Sequence, residues 1–90
     1  MLKLIKIRCG IAELITIYDA DILSYIEDAK ADMMDSGVPE SIVDSEIPAV
    51  VTAVTLYVKA NMEEDRADAE RYMELYRSKV FRLTLKEGGE

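Results

Sequence analysis

Between Asp19 and Ser36 the apolar residues Ile22, Ile26, Ala29 and Met33 recur at intervals of four, three and four, with Leu23 and Met34 beside them. Glu27, Asp28, Lys30 and Asp32 fall on the other faces. That period predicts an amphipathic helix, with Thr16 or Asp19 as candidate caps and Gly37 as its stop. The next periodic stretch is different in kind. From Ala49 to Val58, AVVTAVTLYV, the chain carries no charge at all. A helix over Glu46–Asn61 is predicted here, capped by Asp44 or Ser45, with Pro48 tolerated in its first turn. Apolar on every side apart from Thr52 and Thr55, whose hydroxyls can bond back to the preceding turn, it reads as a buried helix. Val50, Val54, Tyr57 and Val58 are expected among the most buried residues. Three other short helices can hardly cover such a rod, so part of it is expected to lie against another chain.

The pattern then changes abruptly to EEDRADAERYMELYRSKVFRL. A helix over Glu64–Leu83 is predicted, with an apolar stripe of Ala69, Tyr72, Tyr76, Val80 and Leu83 and with Met73 and Phe81 adjacent. Glu63, Glu64 and Asp65 crowd its start and Arg77, Lys79 and Arg82 its end, as the helix dipole favours. Glu63–Arg66, Arg66–Glu70, Asp68–Arg71 and Glu74–Arg77 have the spacing of supporting ion pairs. At the amino end LKLIKIRCGI predicts a short helix with Leu4, Ile7 and Ile11 inward. The stretch SGVPESIVDSEI, residues 36–47, reads as a break. The expected fold is all-α: a small bundle of three main helices plus a short amino-terminal one. Residues 1–85 form a single domain, and residues 86–90 (KEGGE) a flexible tail.

Composition narrows the function. Ninety residues make one small domain, half hydrophobic and 32% charged, as a folded protein should be. The longest uncharged run, Ile47 to Val58, falls short of a bilayer, and no signal peptide is visible, so a cytoplasmic chain is expected. There is no histidine and one cysteine, Cys9, which speaks against zinc sites, internal disulfides, histidine-based acid–base catalysis and the usual nucleophile pairs. No enzyme, cofactor or metal is expected. The net charge of −7 is unevenly spread: Lys3, Lys6 and Arg8 make the first residues basic, ten acids face Lys30 alone over residues 12–48, and the last fourteen residues are again basic. Such a chain repels nucleic acid non-specifically. Most of its acids read as solvated surface, yet opposite charges on different parts of one molecule also suit head-to-tail contact between copies.

Three local motifs have plain readings. DADILSYIEDAK lacks the glycine and the terminal bidentate acid of a calcium loop, and Asp28 and Asp32 read as a solvated face. Asp44-Ser45 at a helix start brings to mind the attachment serine of acyl carrier proteins. However, Glu46 follows it and the next helix is uncharged, so a cap suffices. A small acidic helical carrier or regulatory interaction module of a bacterial cytoplasm remains the alternative from another functional class. Tyr57, Tyr72 and Tyr76 read as core tyrosines with outward hydroxyls, or as a contact surface.

The succession of segments resembles the small head-tail connector proteins of tailed bacteriophages, also called DNA-packaging or head-completion adaptors. A short basic helix leads to the acidic DADILSYIEDAKADM, then to a Gly-Val-Pro break, an apolar helix closing on YVKANM, a charged turn, and a helix containing RYMELYRSKV. The resemblance covers roughly residues 3–84 and is most specific in AVTLYVKANMEEDRADAERYMELY. Such proteins often carry Gly or Pro after the KAN stretch; MEEDRAD here allows the last two helices to be nearly continuous. The resemblance implies a structural protein of the virion neck, assembled in the host cytoplasm, that forms a ring beneath the portal and extends the DNA channel. Its implied partners are copies of itself, the portal and the next head-closure or tail protein, with DNA only passing through. It makes Arg77, Lys79, Arg82 and Lys86, with Glu63, Glu64 and Asp65, the candidate docking or inter-subunit surface. Asp28, Asp32 and Asp35 become candidate channel or rim acids.

Overall fold

The computed structural model describes residues 1–88, with side chains as far as Leu85. Five helices follow one another: α1 (Leu2–Arg8), α2 (Asp19–Asp35), α3 (Glu40–Ser45), α4 (Pro48–Met62) and α5 (Arg66–Gly88). The described residues are all helix, turn and loop, without a strand. The chain is thus all-α, with one short helix more than its sequence predicts.

The α2 stripe packs as its spacing requires: Ile22, Ile26, Ala29 and Met33 are all buried. Neither Thr16 nor Asp19 caps the helix, which starts after Tyr18 without a side-chain cap. Its end is better defined. Gly37 takes a left-handed φ of 108°, its N–H donates to the Met34 carbonyl, and the Val38 N–H donates to the Met33 carbonyl. This is a Schellman arrangement, completed by buried Val38 beside buried Met33.

α3 falls in the stretch expected to be a break. It is short, with no side-chain cap, and buries Val43. Its presence relocates the capping residues: Ser45 Oγ donates to the Ile42 carbonyl at 2.6 Å, inside α3, and Asp44 belongs to α3 as well. Glu46 then turns left-handed (φ 55°) and Ile47 is extended before Pro48. A residue preceding proline is pushed out of the helical region by the proline ring, so α4 starts at Pro48 and not at Glu46. Pro48 occupies the first turn, where no backbone donor is missed.

α4 is the axis of the molecule. Val50, Val51, Ala53, Val54, Thr55, Val58 and Ala60 are buried, while Tyr57, expected to be deep, is only half-buried. Every other helix packs against α4. The expectation that another chain must cover it is therefore corrected: from Ala49 to Ala60 no residue is exposed, because the four helices of its own chain surround it. Thr55 Oγ1 donates to the Val51 carbonyl at 2.7 Å, as expected, whereas Thr52 Oγ1 accepts from Arg8 at 3.1 Å.

α4 and α5 share the largest interface and run antiparallel, since Ala49 neighbours Leu83 and Lys59 lies over the Tyr72 ring. They are not continuous. Glu63 is extended (ψ 130°), and the Asp65 carboxylate accepts the Asp68 N–H at 3.0 Å, capping α5. Glu63, Glu64 and Asp65 thus form the reversing turn and not the first helical turn; no glycine is needed because an aspartate cap starts the new helix. On α5, Tyr76, Val80 and Leu83 are buried and Ala69, Tyr72 and Met73 half-buried, but Phe81 faces outward. The helix continues to Gly88, past the expected end at Leu83. The tail expected over residues 86–90 falls on positions whose side chains or backbone lie outside the described residues.

The amino-terminal register is also corrected. Leu4 and Ile7 are exposed and Ile11 is half-buried, while Ile5 and Lys6 are the buried positions of α1. In a seven-residue helix the apolar residues offer two faces, and packing on α2 and α4 selects the one carrying Ile5.

Candidate interaction surface

Besides the packing of α2 on α4, one buried tyrosine of α5 ties the hairpin to α2. Tyr76 is 1% exposed, and its hydroxyl donates to Asp32 Oδ2 at 2.7 Å and lies 3.3 Å from the Ala29 carbonyl. Its ring meets Tyr57 edge-to-face at 5.1 Å between centroids. Burial, followed by the Asp32 carboxylate, pushes the Tyr76 hydroxyl far above its ordinary value. Tyr57 is pushed up too, by burial and by Asp28 and Asp32. The tyrosines therefore serve as packing, with one hydroxyl spent on a neighbouring helix.

Asp28, Asp32 and Asp35 are all exposed on α2, at spacings that put them on one face. That face adjoins the tyrosine seam, and Asp32 lines a groove together with Ser36, Tyr76, Arg77, Val80, Phe81 and Thr84. Sequence reasoning assigned Asp32 and Arg77 to different surfaces; the fold makes them neighbours on one groove, without an ion pair between them within 4.0 Å. No third His, Cys, Asp or Glu joins Asp28 and Asp32 among the described residues.

The docking candidates separate into two ends. Glu63, Glu64 and Asp65 lie in the turn at the start of α5, and Glu63 Oε2 accepts the Asp65 N–H at 3.2 Å. Arg77 and Arg82 are exposed and Lys79 half-buried on the distal half of α5. From Asp65 to Arg82 a helix advances about 25 Å. Of the four intrahelical pairs expected, none comes within 4.0 Å; the ion pairs among the described residues are Lys3–Glu13, Lys6–Asp19 and Lys30–Glu46. The Lys86 side chain lies outside the described residues. Ser45 sits in the last turn of α3 with its hydroxyl turned to the Ile42 carbonyl, which is not the helix-start position a carrier serine would occupy.

What sequence reasoning missed lies at the acidic end. Lys6, 4% exposed, donates to the Glu13 carbonyl at 3.0 Å and the Ile15 carbonyl at 2.6 Å, and pairs with Asp19 at 2.9 Å. Asp19 Oδ1, buried and lacking a well-directed hydrogen bond, is held by that ion pair alone. The cation thereby pins the loop 11–18 from behind, while Leu14 and Ile17 project into solvent, 93% and 77% exposed. The signal available in the sequence was the run ELITIY itself, apolar residues with neither helical nor strand periodicity. Beside the loop, Tyr18, Lys59, Glu63 and Tyr72 line a second groove, which places the loop and the acidic turn at the same end. Half-buried Cys9 borders it, its thiol pushed up by burial and partly offset by Lys59.

The family model described as phage connector protein matches residues 1–90, the whole chain. The chain belongs to the phage connector protein family. No curated protein and no solved structure gives a match. Membership makes the chain a structural protein of the bacteriophage particle, from a family that contacts other head or tail proteins. No helix among the described residues is long and apolar enough to cross a membrane.

Proposed function

We propose that the chain is a head-tail connector that forms a ring beneath the portal, extends the DNA channel and offers the docking surface for the next connector or tail component. The observation that carries this reading is the charge polarity of the hairpin: Glu63, Glu64 and Asp65 at one end, Arg77, Lys79 and Arg82 towards the other, none engaged in an ion pair within 4.0 Å among the described residues. Opposite charges set about 25 Å apart on one protomer are suited to pairing between copies arranged head to tail. Such a contact is heterologous and closes into a ring when the rotation per subunit allows it. Asp28, Asp32 and Asp35, on one exposed face of α2, supply an acidic surface past which DNA slides without sticking. The basic stretch of α5, with Arg77, Lys79, Arg82 and Lys86, then faces an acidic patch on a neighbour or on the portal.

Charge reversal tests the reading. Arg77→Glu with Arg82→Glu should leave the protomer helical and weaken ring or portal association, most clearly at low salt, because such contacts are screened. Association that is unchanged across salt concentrations, by light scattering or sedimentation, sinks the role given to this stretch.

A further inference from the structure

Two exposed apolar features sit at opposite ends of α2. At its amino end is the loop 11–18, whose Leu14 (93% exposed) and Ile17 (77% exposed) project outward while Lys6 holds the loop carbonyls from the inside. At its carboxyl end is the groove between α2 and the distal half of α5, floored by Tyr76 and Val80 and walled by Phe81, which is 63% exposed. A helix of 17 residues, about 25 Å long, stands between them, so the loop cannot reach the groove of its own chain. Their charges are complementary. Residues 11–21 contain Glu13, Asp19 and Asp21 and no base; residues 77–85 contain Arg77, Lys79 and Arg82 and no acid. Asp19 is already matched by Lys6 and Glu13 lies 3.8 Å from Lys3 in an exposed pair, which leaves Asp21 as the acid of the loop end without an ion pair among the described residues.

We propose that the loop 11–18 inserts Leu14 and Ile17 into the Phe81 groove of a second copy of this chain, with Asp21, and Glu13 exchanging its exposed pair with Lys3, facing that copy's Arg77 and Arg82. This deepens the head-to-tail ring reading and rests on it, naming the apolar contact that the charges orient. The pinning by Lys6 matters because a loop ordered before contact loses less conformational entropy on docking. Asp32, whose Oδ2 accepts the Tyr76 hydroxyl, also borders the groove, and its charge disfavours entry of an acid at that spot.

The test uses two variants that each keep one half of the contact. Leu14→Asp removes the knob and Phe81→Asp the groove; both positions are exposed, so far-ultraviolet circular dichroism should match wild type. Each variant alone should self-associate at least about tenfold more weakly than wild type, as loss of one buried apolar side chain predicts. Mixed, the two should form a pair through the one intact contact and grow no further. A second measurement reads the contact directly. A spin label on Thr16→Cys in a Cys9→Ser chain, mixed with unlabelled wild type enriched in nitrogen-15, should broaden amides of residues 76–84. Broadening confined to the partner's own loop, or none, overturns the contact. If both variants associate as wild type does, the contact is wrong while the ring stands; if wild type itself does not associate at millimolar concentration, both readings fall together.

Discussion

Between Ala49 and Val58 the chain carries no charge, and between Ile11 and Tyr18 it carries only Glu13. By hydropathy the two stretches are near equals, yet one is the buried axis of the molecule and the other holds its most exposed leucine. The difference lies in the backbone. A helix satisfies its own amides and carbonyls, so α4 can be sealed on all sides by apolar packing. The loop has no such ladder, and its carbonyls at Glu13 and Ile15 find a donor only in the Lys6 ammonium. Sinking one lysine under the loop orders it from below and leaves its apolar side chains free to face outward. Apolar composition therefore says that a segment seeks a partner; the backbone decides whether that partner is the same chain.

The contrast can be broken most violently in α4. Val54→Asp puts a charge where the native side chain is fully buried and nothing can pair with it. The cost, about 4 kcal/mol or more, is comparable with the whole stability of a small domain, so the chain should unfold. A cooperative helical melt retained by Val54→Asp would mean that α4 is not the axis. The loop should respond differently. Lys6→Met keeps the buried aliphatic stem but removes both carbonyl hydrogen bonds and the ion pair to Asp19, at a cost of about 2 kcal/mol read from the urea midpoint. The Ile11 and Ile15 amides should then exchange near their unprotected rates; if their protection survives, something other than Lys6 anchors the loop.

The smallest effect belongs to the seam between α2 and the hairpin. Tyr76→Phe keeps the ring packed against Tyr57 and removes one hydroxyl hydrogen bond to exposed Asp32, about 1 kcal/mol near neutral pH. Because folding raises the Tyr76 hydroxyl above its ordinary value of 10.0, the folded state keeps a proton that the unfolded chain loses. That contribution is fully present below pH 10 and falls as pH rises above it, by about 1.4 kcal/mol per pH unit. Tyr57 and Cys9 shift in the same direction, so the quantity to measure is the difference between wild type and Tyr76→Phe. The gap should narrow and reverse in alkali; a constant gap would place the Tyr76 hydroxyl in water.

The same contrast explains what could be read before the structure. The α2 stripe was legible because seventeen residues give the period room to repeat, and Gly37 because its left-handed turn has a clear residue preference. α1 and α3 are too short for periodicity to choose a face, so the inward set of α1 was misassigned and α3 passed for a break. Lys6 escaped for another reason: a lysine is exposed by default, and only the loop folded over it makes burial tolerable. Coverage of α4 was misjudged because the sequence does not reveal that all four other helices converge on one axis. Among the site candidates, the exposed charges on α2 and α5 were legible as surface. That Asp32 and Arg77 border one groove was not, since forty-five positions separate them in the chain.

The enclosure of α4 by its own chain sets how this protein is handled before assembly. A subunit whose core needs a neighbour folds and assembles in one step, and its melting temperature climbs with concentration. Here the interior closes on its own, so the isolated chain should fold by itself, with a melting temperature that does not climb with concentration. What remains for assembly is the docking of finished solids, with a rate governed by encounter and orientation.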